Sequence, residues 1–426
     1  MPHQTTLSYA RSLDQEDPLR PFRQQFHIPS VAGKEAIYFC GNSLGLQPKT
    51  ARQAVEREME KWEQYAVEGH FRGEDPWFTY HELLTPATAR LVGAKPAEVV
   101  VMNNLTTNLH LMLVSFYRPA GRRFKIITEF GGFPSDQYAL ESQVRFHGYD
   151  PDVAIVELRP REGEHLLRTE DIVRKIGEEG EELALIMLGG VNYYTGQFFD
   201  LQAITRAGHA VGVPVGFDLA HAAGNLPLRL HDWGVDFGVW CSYKYLNSSP
   251  GGSAGAFVHD RHAHNPALPR FAGWWGHNQE ERFQMNKGFK PMAGAAGWQL
   301  SNSAILPMAV HRASLEIFDA AGMDPLRQKS LRLTGYLEFL IRDLQLSQEV
   351  LEIITPADPE ARGCQLSLLV HRNGRELFDK LSAAGVIGDW REPNVIRLAP
   401  LPLYNTFEEV WRLGQLLREF MGQRAG

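Results

Sequence analysis

Asp218 and Lys244 are the two residues whose types and spacing promise chemistry. Each stands just past an apolar, β-prone run, Val213 to Phe217 for the acid and Val235 to Trp240 for the lysine. They are 244 − 218 = 26 positions apart, and a crossover between neighbouring parallel strands takes about a dozen residues or more. Both side chains can therefore reach one cavity at the carboxyl edge of a sheet, where open α/β folds place their ligands. An acid and an amine meeting there suit pyridoxal 5'-phosphate (PLP), which needs a lysine for its Schiff base and a partner for its pyridinium nitrogen. A solvated surface lysine and a helix-capping aspartate are the plainer alternative. The surroundings favour the cofactor: Lys244 lies between Tyr243 and Tyr245 with no carboxylate beside it, and SSPGGSAG (248–255) is a small-residue loop that lets backbone approach a ligand closely.

Other candidates are scattered along the chain. EVVVMNNLTTNLHLMLVSF (98–116) switches from a β-branched strand through Asn-Asn-Leu-Thr-Thr into an apolar helix. Unpaired N–H groups, a positive dipole end and hydroxyls converge there, the outline of a phosphate site around Thr106; Thr106 and Thr107 serve equally well as helix caps. Phe133 follows a Gly-containing loop and can stack on a flat ring, and Asp136 is a cap or a polar contact. Ser43 is exposed at a Gly-Asn-Ser-Leu-Gly bend that is otherwise a plain turn. His70 lies in the polar loop GHFRGEDPW (69–77), where a lone histidine is more often a surface residue. The adjacent tryptophans of GWWGHN (273–278) suggest an interface or a ligand wall, with simple packing as the alternative. Arg397 closes an apolar strand, where a guanidinium can grip a carboxylate bidentately.

The elements that must position these groups alternate regularly. After an irregular or helical arm to about residue 30, a helix is expected from Thr50 to about Val67 and an amphipathic helix over 81–93. Strands at 124–128, DVAIVEL and LALIMLGG are separated by helical stretches, among them TEDIVRKIGEEGEE, and LQAITRAGHAVG leads into the Asp218 strand. This rhythm predicts a mostly parallel sheet covered by helices. A long helix after WQLSNS then joins a tail that alternates again, as a small α/β domain would. The expected division is an N-terminal arm and substrate loop over 1–48, a large cofactor-binding domain over 49–310 and a small C-terminal domain over 311–426.

A chain of 426 residues exceeds the usual single-core limit and fits two domains. Its net charge of −7 gives no basic footprint for nucleic acid. No apolar run approaches the ~18 residues of a membrane span, and the N-terminus has no apolar signal region. Cys40, Cys241 and Cys364 are scattered without CxxC spacing, which points to a reducing compartment and to neither a disulfide framework nor a metal site. A cytoplasmic location and no bound metal are expected.

The longer motifs carry a family likeness. YFCGNSLGLQP, NNLTTNLHLML, FPSDQYALESQ, LRPREGE, YTGQ, VGFDLAHAAGN, HDWGVDFGVWCSYKYLNSSPGG, GWWGH, WQLSNSAIL and PNVIRLAPLPLYN run in order from residue 38 to residue 405. In these words the chain resembles kynureninases, PLP enzymes of fold type I in the class-V aminotransferase-like group. The resemblance implies hydrolytic cleavage of L-kynurenine and/or 3-hydroxy-L-kynurenine to anthranilate or 3-hydroxyanthranilate plus L-alanine, in tryptophan catabolism and NAD precursor synthesis. It implies that Lys244 carries PLP, that Asp218 keeps the ring nitrogen protonated and that His221 lines the ring. Phe133 would stack on the pyridine, while Leu105, Thr106, Asp136 and Tyr243 would hold the phosphate and ring edge. Tyr243 would also act as a catalytic acid. A homodimer with shared sites is implied, Trp274 and Asn302 serving the neighbouring subunit's cofactor. Ser43, His70, Ser301 and Asn302 would face the aryl ring and Arg397 the substrate carboxylate; His70 and Ser301–Asn302 resemble the form that favours the 3-hydroxy substrate. One departure stands out: Gly189 has no side chain where relatives can place a cofactor-touching hydroxyl. The rival readings are a cysteine desulfurase or β-lyase of the same fold, and a catalytically silent protein that kept the fold. The first would need a reactive cysteine on a mobile loop; the second would have no need for Lys244.

Overall fold

Seven strands make the central sheet of the computed structural model, which describes residues 3–263 and 265–422. In chain order they are β1 (Val99–Val101), β2 (Lys125–Glu129), β3 (Ile155–Leu158), β4 (Leu183–Gly189), β5 (Val215–Asp218), β6 (Phe237–Trp240) and β7 (Gly255–Val258). Their spatial order is β1-β7-β6-β5-β4-β2-β3. The run from β6 to β3 is parallel, and β7 alone is antiparallel to both of its neighbours. Side chains alternate between two buried faces. Ile186 and Leu188 of β4 join one apolar cluster with Val215 and Phe217, while Leu185 and Met187 join another with Phe237 and Val239. Burial on both faces is why these strands read as continuous apolar runs, and it requires helices above and below.

Asparagines make the strand-to-helix switch after β1. Asn103 adopts a left-handed φ of 48°, and its neighbour Asn104 caps the Leu105–Phe116 helix by accepting from Thr107 N at 3.0 Å. The cap is thus Asn104, which leaves the hydroxyl of Thr106 free to bond the Ser135 hydroxyl at 2.9 Å. The stretch 81–93 is not a single helix. A 3-10 segment, Trp77–Leu83, gives way to an α-helix over Thr85–Val92, with proline in the first turn of the latter. Proline lacks the N–H that a continuous helix would use there.

The C-terminal sheet is antiparallel, in the order Leu351–Ile353, Leu366–Val370, Val395–Leu398, Asp389–Arg391. Its apolar cluster takes in Ala10, Ile37 and Phe39 from the arm together with Leu337, Leu366 and Leu413. A buried pair, Lys329 Nζ to Asp17 at 2.7 Å, bolts the arm to the long Met323–Arg342 helix. The arm therefore folds against the C-terminal unit. Among the described residues no helix is long and apolar enough to cross a membrane.

Glycine at 216 is a packing requirement inside β5, since a methyl group there would run into the Phe237 ring. Gly216→Ala should lower stability by about 1–3 kcal/mol, read as a lower urea midpoint at unchanged slope; an unchanged midpoint would mean that Phe237 can turn aside.

Candidate active site

Asp218 ends β5, Gly189 ends β4 beside it in register, and Glu129 ends β2 one strand further on. Lys244 lies four residues beyond the end of β6. The sheet's carboxyl edge thus gathers these groups around a cleft of about 520 Å³, counting its open mouth, lined also by Leu105, Thr106, Phe133, Asp136, His221 and Tyr243. Every cofactor-binding residue expected from one chain lies on this cleft; Trp274 and Asn302 do not.

The lysine loop is held by backbone contacts. Gly45 N donates to Tyr243 O at 2.8 Å, and a side chain at 45 would strike Lys244 O, which is why the Gly-Asn-Ser-Leu-Gly bend ends in glycine. Asn247 and Ser249 take left-handed φ values of 52° and 86° to turn the loop back toward β7. Lys244 Nζ donates to His221 Nε2 at 3.1 Å, and His221 Nδ1 faces Tyr245 OH at 3.2 Å. Burial, then the charges of Lys244 and Arg397, holds His221 well below the usual histidine range, so the imidazole is neutral and accepts from the lysine. Phe133 presents its ring 5.5 Å from Nζ. Although no carboxylate neighbours Lys244 in sequence, in space its charge acts on both Asp218 and Asp136.

Asp136 and Asp218 face each other in the cleft, Asp218 buried and Asp136 half-buried. Burial, then the charge of Asp218, pushes Asp136 well above the carboxylate range, so it keeps a proton. Burial raises Asp218 as well, but the hydrogen bond from Asp136, the charge of Lys244 and the Ala220 N–H, at 2.7 Å, work against that rise and favour its ionised form. Burial, followed by interactions with Cys241, raises the Tyr243 phenol above its ordinary value and keeps it a proton donor.

These groups fit PLP. Thr106 and Ser135 meet where the Leu105–Phe116 and Pro134–Phe146 helices begin, so two helix N-termini and two hydroxyls make an anion cup. Asp218 offers an anion to a ring nitrogen, Phe133 offers a face and Lys244 an amine. Buried Asp136 Oδ1 lacks a hydrogen-bond partner, as a group awaiting a ligand would.

The expected substrate residues divide. Ser43 bonds Asp389, and Arg397 NH2 reaches Ser43 Oγ at 3.2 Å. Arg397 is buried at 1% exposure, its NH1 on Tyr193 O at 2.8 Å and its NH2 on Asp389 at 2.7 Å. Tyr193 lines the cleft, so this cluster stands at its edge. His70 bonds Val67 O and packs edge-on against Trp77; Ser301 and Asn302 are exposed; Trp274 leans on Phe283. None of these four lines the cleft of a single chain. Glu129, Ser135, Tyr193 and Asp389 were not singled out from sequence. Ser135 stands inside the FPSD word at a helix start and could have been read as a second anion site; the other three carry no local signal.

Fold and site together define a class-V, fold-type I PLP-dependent enzyme. Residues 46–351 match the Aminotransferase class-V family and residues 326–417 the Kynureninase C-terminal domain. The chain is 59% identical over 411 residues to a curated kynureninase of Myxococcus xanthus, covering 96% of each chain. To that of Flavobacterium johnsoniae it is 55% identical over 420 residues, covering 98% of this chain and 99% of the relative. The chain belongs to the kynureninase family. Among solved structures, a cysteine desulfurase from Thermococcus onnurineus superposes with a TM-score of 0.74 at 16% identity, over 91% of this chain and 95% of that one. A C-DES variant with glycine covalently linked to its PLP cofactor gives 0.74 at 18%, over 92% and 98%. Both likenesses are of fold.

Asp389 holds Arg397 in place. Removing one partner of a buried pair strands the other, so Asp389→Ala should cost about 3–5 kcal/mol in chemical denaturation. A loss below about 1 kcal/mol would show that water replaces the carboxylate.

Proposed function

We propose that the protein is a PLP-dependent hydrolase (EC 3.7.1.3) that cleaves L-kynurenine, 3-hydroxy-L-kynurenine or both to the corresponding anthranilate and L-alanine, within tryptophan catabolism and NAD precursor synthesis. The observation that carries this reading is the match to curated kynureninases along nearly the whole chain, joined to a lysine and an acid in one buried cleft. When bound, PLP supplies an electron sink for the carbanion left by removal of the substrate's Cα proton. Asp218, ionised beside Lys244, holds the positive charge of the ring nitrogen. The free Lys244 amine would take the Cα proton as general base, and neutral His221 orients it through the 3.1 Å contact. Water adds to the γ-carbonyl and the Cβ–Cγ bond breaks. The anthranilate leaves with that water's oxygen in its carboxyl group; Tyr243, kept protonated by burial, would deliver a proton to Cβ of the alanine portion that stays behind, and Lys244 would return the proton to Cα. Leu105, Thr106, Asp136 and Tyr243 would hold the phosphate and ring edge, and Phe133 would stack on the ring.

The aryl side is completed in a homodimer with shared active sites. Trp274, Ser301, Asn302 and His70 lie off the cleft of their own chain. Phe71, Trp274, Phe283 and Met285 are exposed by 39–69%, and the first three form a continuous ring cluster with Phe283 at its centre. A soluble chain rarely leaves such a patch uncovered. Trp274 and Asn302 would then reach the partner's cofactor, with Ser43, His70 and Ser301 around the aryl ring and Arg397 toward the substrate carboxylate. The division into 1–48, 49–310 and 311–426 is kept as this reading's domain plan, with the first two and last four residues outside the described residues. A cytoplasmic location belongs to the same reading.

The desulfurase alternative lacks its nucleophile. Burial pushes the Cys364 thiol up to about 12 and the Cys40 thiol up to about 11, and also raises Cys241, so none is a ready thiolate.

Paired steady-state assays with kynurenine and 3-hydroxykynurenine, PLP present, test the reaction. Cleavage of either is expected, with kcat/KM higher for the 3-hydroxy form; sulfide release from cysteine without cleavage of either would overturn the reading. Lys244→Ala should lose ~10²–10⁴-fold or more in kcat together with borohydride trapping of PLP, and an unchanged trap would place the bond elsewhere. Mixing Trp274→Ala with Lys244→Ala subunits should restore activity above either parent, because a heterodimer rebuilds one intact site. No gain on mixing would count against shared sites.

A further inference from the structure

Glu129 lines the cleft, and the chemistry above gives it no work. Its side chain is buried, and both carboxylate oxygens accept from a single donor, Gly189 N, at 3.1 and 3.0 Å. A Cβ at 189 would sit 2.9 Å from Oε1. The glycine therefore leaves the room in which the carboxyl lies. Gly189 is also the register partner of Asp218, so Glu129 reaches across the end of β4 toward the acid that would face a ring nitrogen.

The groups facing this region are Asp136 from its helix, Asp218 and His221 from the end of β5 and the turn after it, Tyr243 and Lys244 from the lysine loop, and Tyr193 after β4. Arg159, past the end of β3, is occupied by Glu157 and the Phe130 ring. Three carboxyls thus share one cleft with Lys244, and His221 is neutral. They cannot all ionise together. Asp136 keeps one proton. Burial, with the charge of Asp218 adding to it and the Gly189 N–H opposing, pushes Glu129 up to about 7, so a second proton is held and lost near neutral pH.

We propose that Glu129 is a positioning residue of the cofactor cleft, whose carboxyl holds a proton in the cofactor-free protein and releases it to solvent when the cationic ring nitrogen of PLP pairs with Asp218. The inference rests on the PLP reading of the site. A cation placed beside Asp218 would remove the repulsion that helps keep Glu129 protonated, while Thr106 and Ser135 would hold the phosphate. Binding that releases a proton strengthens as pH rises. The affinity for PLP is thereby tied to pH through a residue that touches neither substrate nor the reacting atoms.

Calorimetric titration of the cofactor-free protein with PLP at pH 7, in two buffers of different ionisation enthalpy, counts the protons released. Glu129→Gln keeps an acceptor for Gly189 N but cannot ionise. It should release fewer protons than the wild type by about half a proton, so that the wild-type Kd tightens ~3-fold more per pH unit across pH 6–8. Equal proton counts and parallel Kd profiles would overturn the proposal. Glu129→Asp should restore the release with a shifted midpoint; no release from it, while it still binds PLP, would also count against the proposal. A cofactor-free measurement separates the two levels. An acid whose folded pKa lies above its unfolded value stabilises the fold at low pH and loses that contribution as pH rises through the folded value. The wild-type Tm should therefore fall more steeply than that of Glu129→Gln between pH 5 and 8, and coincident profiles would overturn the proton assignment even if PLP binds. Failure of the wild type to bind PLP at any pH would instead overturn the cofactor reading, and this inference with it.

Discussion

Charge balance in one small cleft is the constraint on which the rest of this structure depends. Lys244 lines a cleft shared by three acids, Glu129, Asp136 and Asp218, and of these Asp136 and Asp218 feel its charge. Burial makes each ionisation expensive, so protons must be retained or opposite charge brought in. His221 contributes none, because the same burial and the same lysine keep it neutral. A cofactor that carries a cationic ring nitrogen at one end and a phosphate at the other matches this balance. In the proposed reading its nitrogen would face the acids at the strand ends, and its phosphate would face two helix N-termini and two hydroxyls.

The fold exists to hold those groups at that separation. Parallel strands end on one edge, so residues far apart in the chain, Glu129, Gly189 and Asp218, come to rest side by side. Packing on both faces fixes the strands, and small residues set how closely they and the loops approach. Gly216 admits the Phe237 ring, Gly189 admits the Glu129 carboxyl and Gly45 admits the lysine loop. The arm is recruited by the C-terminal core, and this brings Ser43 to Arg397 and Asp389 at the rim of the cleft. Arg397 is already paired within the chain, so engaging a substrate carboxylate means sharing or displacing Asp389.

One chain presents the cofactor side more completely than the aryl side. Phe133, Asp136, His221, Tyr243 and Lys244 converge without help, whereas His70, Trp274, Ser301 and Asn302 remain outside, next to exposed aromatic surface. This asymmetry is what supports the proposed two-chain site.

By itself the sequence determined the class of fold, the Asp218–Lys244 pair and the helix N-terminus at Thr106, because period, turn residues and strand ends are local properties. Long ordered motifs extended that reading to a family. Only the tertiary structure decided what depends on distant elements meeting. It set Asp389 against Arg397 and brought Glu129 beside Gly189, whereas the Asn104 cap and the break of 81–93 at a proline are local features already written in the sequence. Glu129 lies 60 positions from Gly189, and nothing in the words around either residue announces the other. Their contact follows from β2 and β4 being neighbours in the sheet, an ordering that long-range packing chooses and local sequence does not encode.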